Sequence, residues 1–151
     1  MSSVLGQPGR HAIPTLDDVA ALAQAIAAEL VPPALILLSG PLGAGKSELV
    51  RQLLPLLGVS ETILSPTFGY LRSYPVGTTT YHHFDLYRLG DEEELEFLGV
   101  RDLMRHDAVW LVEWPEKAPS LTHHATATLT FSGDEGDRMV TIEPGPGPDW
   151  R

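Results

Sequence analysis

The chain has 151 residues, which suits one globular domain, and 43% of them are hydrophobic, enough for a core and too many for wholesale disorder. Ten Lys and Arg residues stand against twenty Asp and Glu, a net charge of −10, which argues against a large autonomous surface for nucleic acid or acidic lipid. No cysteine occurs, which excludes disulfides, thiol catalysis and thiolate-bound zinc.

The ends of the chain differ in composition from its middle. Residues 1–11 are predicted to be a flexible lead, and they lack the apolar run of a signal peptide. The longest apolar run, Val31 to Leu38, contains two prolines and is too short to span a bilayer, so we expect a cytoplasmic protein without membrane contact. The folded domain is predicted over 12–143, and residues 144–151, in which Pro and Gly alternate, are predicted to be a disordered tail.

The first predicted helix follows Thr15, which has the character of an N-cap, with Asp18 completing a capping box. Apolar residues recur at helical spacing until Pro32–Pro33 ends the helix. The continuous apolar run Ala34 to Leu38 is typical of a strand buried on both faces of a parallel sheet. A glycine-rich turn then leads to a second helix that begins near Lys46.

The remaining patterns predict mostly strands. A first hairpin is predicted to pair Phe68–Tyr74 with Thr79–Phe84, and a second to pair Ala125–Phe131 with Met139–Ile142. A single strand is predicted between them, over Ala108–Val112. Residues 91–96 are rich in acids, as is typical of the first turn of a helix, and a short helix is predicted at 98–104. Both lie before the predicted strand Ala108–Val112. This order predicts a single α/β domain with a mixed parallel and antiparallel sheet flanked by helices.

Residues 40–47, GPLGAGKS, fit the phosphate-binding pattern G-x-x-x-x-G-K-S. Glycines let backbone N–H groups turn towards phosphates, and a helix N-terminus adds partial positive charge. Lys46 can reach the β- and γ-phosphates, and the Ser47 hydroxyl can ligate Mg²⁺. The motif lies between a predicted buried strand and a helix, as this chemistry requires. The expected nucleotide-binding residues of the loop are Gly40, Leu42, Gly43, Ala44, Gly45, Lys46 and Ser47.

Such a loop needs a second carboxylate on the metal side, usually at the end of a neighbouring buried strand. Glu113 is the C-terminal residue of the predicted strand Val109–Glu113, whereas Asp102 and Asp107 precede it, so Glu113 is the predicted metal ligand beside Ser47. Asp85 ends another candidate strand. From spacing alone, a role in positioning water or metal and a role as a cap or salt-bridge acid weigh about equally for Asp85.

Two histidine pairs and one loop with hydroxyl side chains are further candidates for metal or phosphate contacts. Adjacent histidines on a strand point to opposite faces, so neither His82–His83 nor His123–His124 is expected to chelate a metal. The loop Ser65–Phe68 could close on a γ-phosphate like a switch, but its pattern favours a plain Ser-Pro turn.

Four motifs occur in a fixed order: the phosphate loop, Ser65-Pro66-Thr67-Phe68, His83-Phe84-Asp85-Leu86-Tyr87-Arg88-Leu89, and Glu113-Trp114-Pro115-Glu116. Together they resemble the TsaE (YjeE) family, the small bacterial ATPase of tRNA threonylcarbamoyladenosine (t6A) biosynthesis. The resemblance covers about residues 12 to 143. Pro41, where the family often has Asp, and Ser47, where it often has Thr, depart from the family pattern. Neither departure threatens nucleotide binding, since Ser supplies the same hydroxyl.

The resemblance implies a P-loop NTPase-like fold and hydrolysis of ATP with Mg²⁺. It implies catalytic roles for Lys46, Thr67, Asp85 and Glu113, and it places Trp114 beside the metal carboxylate, in contact with the nucleotide site. It further implies partnership with TsaB and TsaD, with tRNA handled through those partners. Slow hydrolysis by the isolated chain is expected, because the sequence offers no clear arginine finger beyond Arg88.

Two other functions stay open. A small-molecule P-loop kinase would need an arginine-rich lid, and the eight arginines of this chain are scattered. A nucleotide-dependent binding switch would show little turnover. The adenine site is obscure from sequence, with Thr15 and Arg138 as the candidates. The guanine motif N-K-x-D is absent, which favours ATP.

Overall fold

The computed structural model describes residues 3–60, 71–97 and 99–150. The strands in these residues are β1 Gly9–Ala12, β2 Ala34–Ser39, β3 Leu71–Val76, β4 Thr79–Asp85, β5 Ala108–Glu113, β6 Ala127–Ser132 and β7 Met139–Pro144. The helices are α1 Leu16–Glu29, α2 Lys46–Leu56 and the short α3 Glu94–Phe97, and 3₁₀ segments cover Val100–Leu103, Pro115–Lys117 and Pro119–His124.

The strands form one mixed sheet in the order β1-β7-β6-β2-β5-β4-β3. Strand β2 lies between β5 and β6 and is parallel to both, and β4 is parallel to β5. The outer strands β3, β7 and β1 pair antiparallel to their neighbours. The predicted mixed sheet and α/β class are therefore confirmed. Because β2, β4 and β5 run in the same direction, their carboxyl ends meet at one edge of the sheet.

Side-chain alternation in β2 divides the interior into two cores. Ile36 and Leu38 face the core under α1 and α2, while Leu35 and Leu37 face a second core on the opposite side of the sheet. All four are at most 1% exposed, and each such burial is worth about 1.5–3 kcal/mol. The second face is covered by α3, the 3₁₀ segments and the C-terminal chain rather than by long helices.

The predicted ends of the first two helices are confirmed. Thr15 and Asp18 form the capping box of α1, and this helix ends at Glu29, ahead of Pro32–Pro33. Helix α2 begins at Lys46 and ends just before Gly58. Within the described residues, no helix is both long enough and apolar enough to cross a lipid bilayer.

Parts of the predicted lead and of the predicted tail make specific contacts. Strand β1, whose residues 9–11 belong to the predicted flexible lead, pairs with β7, and Glu29 accepts hydrogen bonds from the backbone of Val4 and Leu5. In the predicted tail, the N–H groups of Gly145 and Gly147 donate to the backbone of the chain just before β6. Partners distant in sequence, rather than local propensity, produce these contacts.

Candidate functional site

The phosphate loop, residues 40–47, connects β2 to α2, and its backbone adopts positive φ angles at glycine positions. Gly40 has φ +136°, and a Cβ atom there would lie 2.5 Å from the carbonyl oxygen of Phe131. Gly45 has φ +112° and stands at the N-cap of α2, where it has no side chain to occupy the first N–H groups of the helix. These N–H groups, with the helix dipole, favour an anion at this position.

Lys46 is buried between the loop and Trp114, with 4% of its surface exposed. Its ammonium donates to the carbonyl of Gly40 and lies 3.4 Å from the centroid of the Trp114 ring, a cation–π contact. Burial lowers the pKa of Lys46, while the negative charges of Glu113, Glu116 and Asp85 oppose this shift. The Lys46 ammonium therefore lies at the phosphate loop, within the electrostatic influence of three carboxylates.

Glu113 is the last residue of β5 and the register partner of Leu38, near the end of β2. It is 2% exposed, and the Ser47 hydroxyl donates to its carboxylate at 3.0 and 3.3 Å. Nε2 of His83 lies 2.6 Å from Glu113 Oε2. Burial acts to raise the pKa of Glu113, but the hydrogen bonds and charge of His83, with Ser47 and Lys46, outweigh it and leave the pKa below its ordinary value. The carboxylate is thus held ionised.

Asp85 ends β4 and is the register partner of Glu113 on the neighbouring parallel strand. Its Oδ1 accepts the backbone N–H of Tyr87 at 3.0 Å. Burial raises the pKa of Asp85; this hydrogen bond lowers it again, and the charge of Glu113 adds to the rise. The net shift is upward, opposite to that of Glu113. Two neighbouring carboxyl groups with pKa values driven apart are suited to different tasks, one to bind a cation and one to accept a proton.

Trp114 follows Glu113 in the left-handed region, with φ 61°, the only described non-glycine residue at positive φ. Its backbone N–H donates to the carbonyl of Leu38 at 3.2 Å, and the centroid of its ring lies 5.0 Å from that of Tyr87. An unfavourable backbone conformation next to a buried carboxylate is typical of a functional site. The conformation places the indole over Lys46, at the edge of the loop.

These groups surround one pocket of about 330 Å³. Among the residues predicted from sequence, those that line it are Leu42, Gly43, Gly45, Lys46, Ser47, Asp85, Glu113, Trp114 and Arg138. Nε of Arg138 is buried and has no hydrogen-bond partner within the described part of the chain. A pocket of this volume, with backbone N–H groups and two cationic side chains, suits a phosphorylated ligand.

Three predicted residues that the structure describes, Gly40, Ala44 and Thr15, do not line this pocket. Gly40 and Ala44 shape the loop instead, since Gly40 abuts Phe131 and Ala44 is 2% exposed. The Thr15 hydroxyl is engaged with Asp18 in the capping box, and it is the next residue, Leu16, that lines the pocket. Thr67 lies outside the described residues, so its predicted role stays a prediction.

Sequence reasoning missed four residues of this region: Leu16, Glu48, Tyr87 and His83. Leu16, Glu48 and Tyr87 line the pocket, and His83 contacts Glu113. A signal for His83 was present, because it stands two residues before Asp85 on the same strand and therefore shares its face. His82 points the other way, where it stacks on Trp110 at 4.3 Å and bonds the Ser73 hydroxyl at 2.7 Å.

The oxygen donors of Ser47 and Glu113 fit a magnesium ion. Mg²⁺ prefers hard oxygen ligands and is usually held by one or two protein groups together with substrate phosphates and water. Ser47 stands in the first turn of α2, and its hydroxyl already contacts the ionised Glu113. A protein-only cage is not needed for such an ion. Among the described residues, no group of three or more His, Asp or Glu side chains forms one.

Comparison with known proteins agrees with the motifs. The sequence profile of Threonylcarbamoyl adenosine biosynthesis protein TsaE matches residues 13–140. The chain is 42% identical over 108 residues to the tRNA threonylcarbamoyladenosine biosynthesis protein TsaE of Haemophilus influenzae, covering 72% of this chain and 68% of that protein. It is 36% identical over 121 residues to the protein of the same name from a Nostoc species, covering 76% and 73%.

A solved structure shares the fold. The crystal structure of YdiB from Bacillus subtilis superposes with a TM-score of 0.73 at 23% sequence identity, covering 91% of this chain and 86% of that one. Because the TsaE profile spans most of the sequence and the relatives match over about two thirds or more of their length, the chain belongs to the TsaE family.

Proposed function

We propose that this protein is a Mg²⁺-dependent ATPase of t6A biosynthesis, acting in the cytoplasm, which binds and slowly hydrolyses ATP to drive or reset a complex of TsaB and TsaD. The observation that carries the proposal is the contact between Ser47 and Glu113, 3.0 Å apart at the start of α2. It brings the hydroxyl of the phosphate loop and a strand-end carboxylate to one point, as nucleoside triphosphate hydrolysis requires. Membership of the TsaE family supports the pathway.

The loop supplies the phosphate contacts. Backbone N–H groups from Leu42 to Ser47 cradle the phosphates, helped by the positive end of α2. Lys46 reaches the β- and γ-phosphates by exchanging its bond to the Gly40 carbonyl for phosphate oxygens. Arg138, on the other side of the pocket, offers its buried Nε–H to the nucleotide.

The two strand-end acids divide the remaining tasks. Glu113, held ionised by His83, would hold the metal together with Ser47. The chemistry that Mg²⁺ would supply there is neutralisation of the phosphate charge. Asp85, whose pKa is raised, accepts a proton from the attacking water and orients that water, with Thr67 as a second predicted contact. Hydrolysis by the isolated chain is slow because a partner completes the charge stabilisation at the γ-phosphate.

The role of TsaB and TsaD follows from the family and from the charge of this chain. A net charge of −10 does not favour a direct contact over many phosphates, so tRNA is handled by the partners. TsaD carries out the threonylcarbamoyl transfer, and ATP hydrolysis in this chain drives or resets the complex between turnovers.

Phosphate release from ATP tests the proposal, with and without the TsaB–TsaD complex. Wild-type protein is expected to release phosphate slowly alone, only with Mg²⁺, and faster with the complex. Glu113→Gln is expected to lower the rate on the order of 100-fold, whereas Glu135→Gln, in the exposed turn between β6 and β7, serves as the matched control. Fast hydrolysis by the isolated chain would contradict the proposal.

Two further results would replace this function by another. Transfer of the γ-phosphate to a small acceptor, instead of release as free phosphate, would identify a kinase. ATP binding without turnover, even with the complex present, would identify a binding switch. Failure to associate with TsaB and TsaD in a pull-down, both with and without ATP, would remove the assigned partners.

A further inference from the structure

The ammonium of Lys46 is already engaged by two groups of the protein in this structure. It donates a hydrogen bond to the carbonyl of Gly40 and lies 3.4 Å from the centroid of the Trp114 ring. Only 4% of the residue is exposed, so little of its surface is open to a ligand. Since a lysine at this position of a phosphate loop binds the β- and γ-phosphates, a phosphate oxygen has to compete with both of these contacts.

The backbone of Trp114 is held on both sides, which leaves rotation of the indole as the way to release the lysine. Its backbone N–H donates to the carbonyl of Leu38 at 3.2 Å, and it directly follows Glu113, the last residue of β5. The next residue is Pro115, which is buried and begins a 3₁₀ segment with the fixed φ of a proline. The left-handed conformation of Trp114, unfavourable for any residue but glycine, places its ring over Lys46.

Tyr87 connects the indole to Asp85, the second acid of the site. The rings of Tyr87 and Trp114 lie 5.0 Å apart between centroids and are tilted by 50°. Tyr87 is 46% exposed, so its ring has room to follow a movement of the indole towards solvent. The backbone N–H of the same residue donates to Asp85 Oδ1 at 3.0 Å. The two aromatic residues therefore contact the lysine of the phosphate loop at one end and Asp85 at the other.

We propose that Trp114 and Tyr87 form an aromatic gate, which holds the Lys46 ammonium away from the phosphate position until ATP draws it off the indole ring. Charge-assisted hydrogen bonds to phosphate are stronger than a cation–π contact, so the nucleotide can open the gate. Trp114 is then a positioning residue, which limits ATP affinity and association rate through Lys46 rather than through a contact of its own with ATP. The inference rests on the proposed function, since it takes its ligand from there.

The affinity and association rate of ATP, measured with Mg²⁺ present, test the gate. Trp114→Leu removes the π face but keeps an apolar side chain, and it is expected to bind ATP about fivefold more tightly and to associate faster. Trp114→Phe keeps an aromatic face and is expected to stay within about twofold of wild-type protein. Trp150→Leu makes the same change at a tryptophan that does not line the nucleotide pocket, and no effect is expected there. Weaker or unchanged ATP binding in Trp114→Leu would overturn the inference.

Fluorine NMR of wild-type protein labelled with 5-fluorotryptophan tests the gate without relying on the fold of a variant. The chain has three tryptophans, and the signal that Trp114→Phe lacks belongs to Trp114. Its solvent isotope shift, which measures exposure to water, is expected to increase when ATP is added, whereas that of Trp110, 0% exposed, stays constant. A decrease or no change at Trp114 would overturn the inference, because the indole would then cover the nucleotide or remain on Lys46.

The two proposals fail in different ways. Phosphate release from ATP by the wild-type chain tests the ATPase proposal separately, and it stays intact if only the expected effects at Trp114 are absent. A wild-type chain that binds no ATP would overturn both.

Discussion

His83 Nε2 lies 2.6 Å from Glu113 Oε2, and each residue is 2% exposed. The contact joins β4 to β5, and His83 stands two residues before Asp85, the register partner of Glu113. It fixes one carboxylate oxygen, while the other lies 3.0 Å from the Ser47 hydroxyl. His83 is thus a positioning residue for the carboxylate to which we assign the metal.

Replacing His83 by Gln tests this positioning role. The variant is expected to lose about 10- to 100-fold in the Mg²⁺-dependent part of ATP affinity, because the Glu113 carboxylate is no longer held in orientation. ATP affinity without Mg²⁺ is expected to change little. Isothermal titration calorimetry with and without Mg²⁺ separates the two terms, and His123→Gln, at an exposed position, is the control. An unchanged magnesium dependence in His83→Gln would show that the contact is only structural.

Asp85→Asn separates binding from turnover. The amide keeps the size of the side chain but cannot accept a proton from water, so hydrolysis is expected to fall about 10²- to 10⁴-fold. Mg²⁺–ATP affinity is expected to stay within about threefold, because the ligand carboxylate is Glu113. Phosphate release and calorimetry measure the two quantities. Asp102→Asn is the control, since Asp102 is exposed and precedes β5. Equal losses in binding and turnover would assign Asp85 to the metal instead.

Gly40→Ala tests the backbone of the phosphate loop. The new Cβ atom would lie 2.5 Å from the carbonyl oxygen of Phe131 at φ +136°, so we expect a loss of about 2–4 kcal/mol in the free energy of unfolding. Gly43→Ala is the matched variant, because its Cβ atom would meet nothing within 4 Å at φ +78°. Its expected cost is about 1 kcal/mol, from the left-handed conformation alone. Equal costs, measured by urea denaturation, would contradict this account of the loop.

The buried His82 predicts a pH dependence of stability. Burial lowers its pKa from 6.5 to about 4, although the charge of Asp107 opposes the shift. The unfolded chain therefore binds the proton more readily than the folded one, so the stabilisation is fully present above pH 6.5 and is lost as the pH falls towards 4. The loss is at most about 3 kcal/mol.

Urea denaturation between neutral pH and pH 4 measures this term as the difference between wild-type protein and His82→Gln. The difference is expected to shrink steadily as the pH falls, because the variant has no group to protonate at this position. His123→Gln controls for an exposed histidine. A difference that stays constant over the whole range would show that His82 is protonated in both states or in neither.

The parts of the molecule that follow from local patterns were predictable. The capping box of Thr15 and Asp18, the buried strand β2 and the strand-end position of Glu113 each depend on residues close in sequence. Strand β1 was missed because its four residues, GRHA, have no strand pattern and are ordered only by pairing with β7, over a hundred residues away. Long-range pairing of this kind is not encoded in any short window.

The candidate site likewise has parts that local sequence patterns predict and parts that depend on long-range pairing. The loop residues and Glu113 were predicted from the residue types and spacing that phosphate chemistry requires, whereas spacing left two roles open for Asp85 and only the family resemblance favoured one of them. The contact of His83 with Glu113 depends on which strands are neighbours, and the sheet order places β4 beside β5. A second cavity of about 760 Å³, lined by residues within 91–95, by 3₁₀ segments and by Trp150, has no periodic signal in the sequence.

Binding of Mn²⁺ in place of Mg²⁺, followed by electron paramagnetic resonance of the free ion, tests the central claim most directly because it reports on the metal rather than on turnover. With ATP present, wild-type protein is expected to bind one ion per chain through Ser47 and Glu113. Ser47→Ala and Glu113→Gln are each expected to weaken that binding about 10-fold or more, while Glu135→Gln leaves it unchanged. Wild-type Mn²⁺ affinity in Glu113→Gln would contradict the assignment of this site as the metal centre of an ATPase.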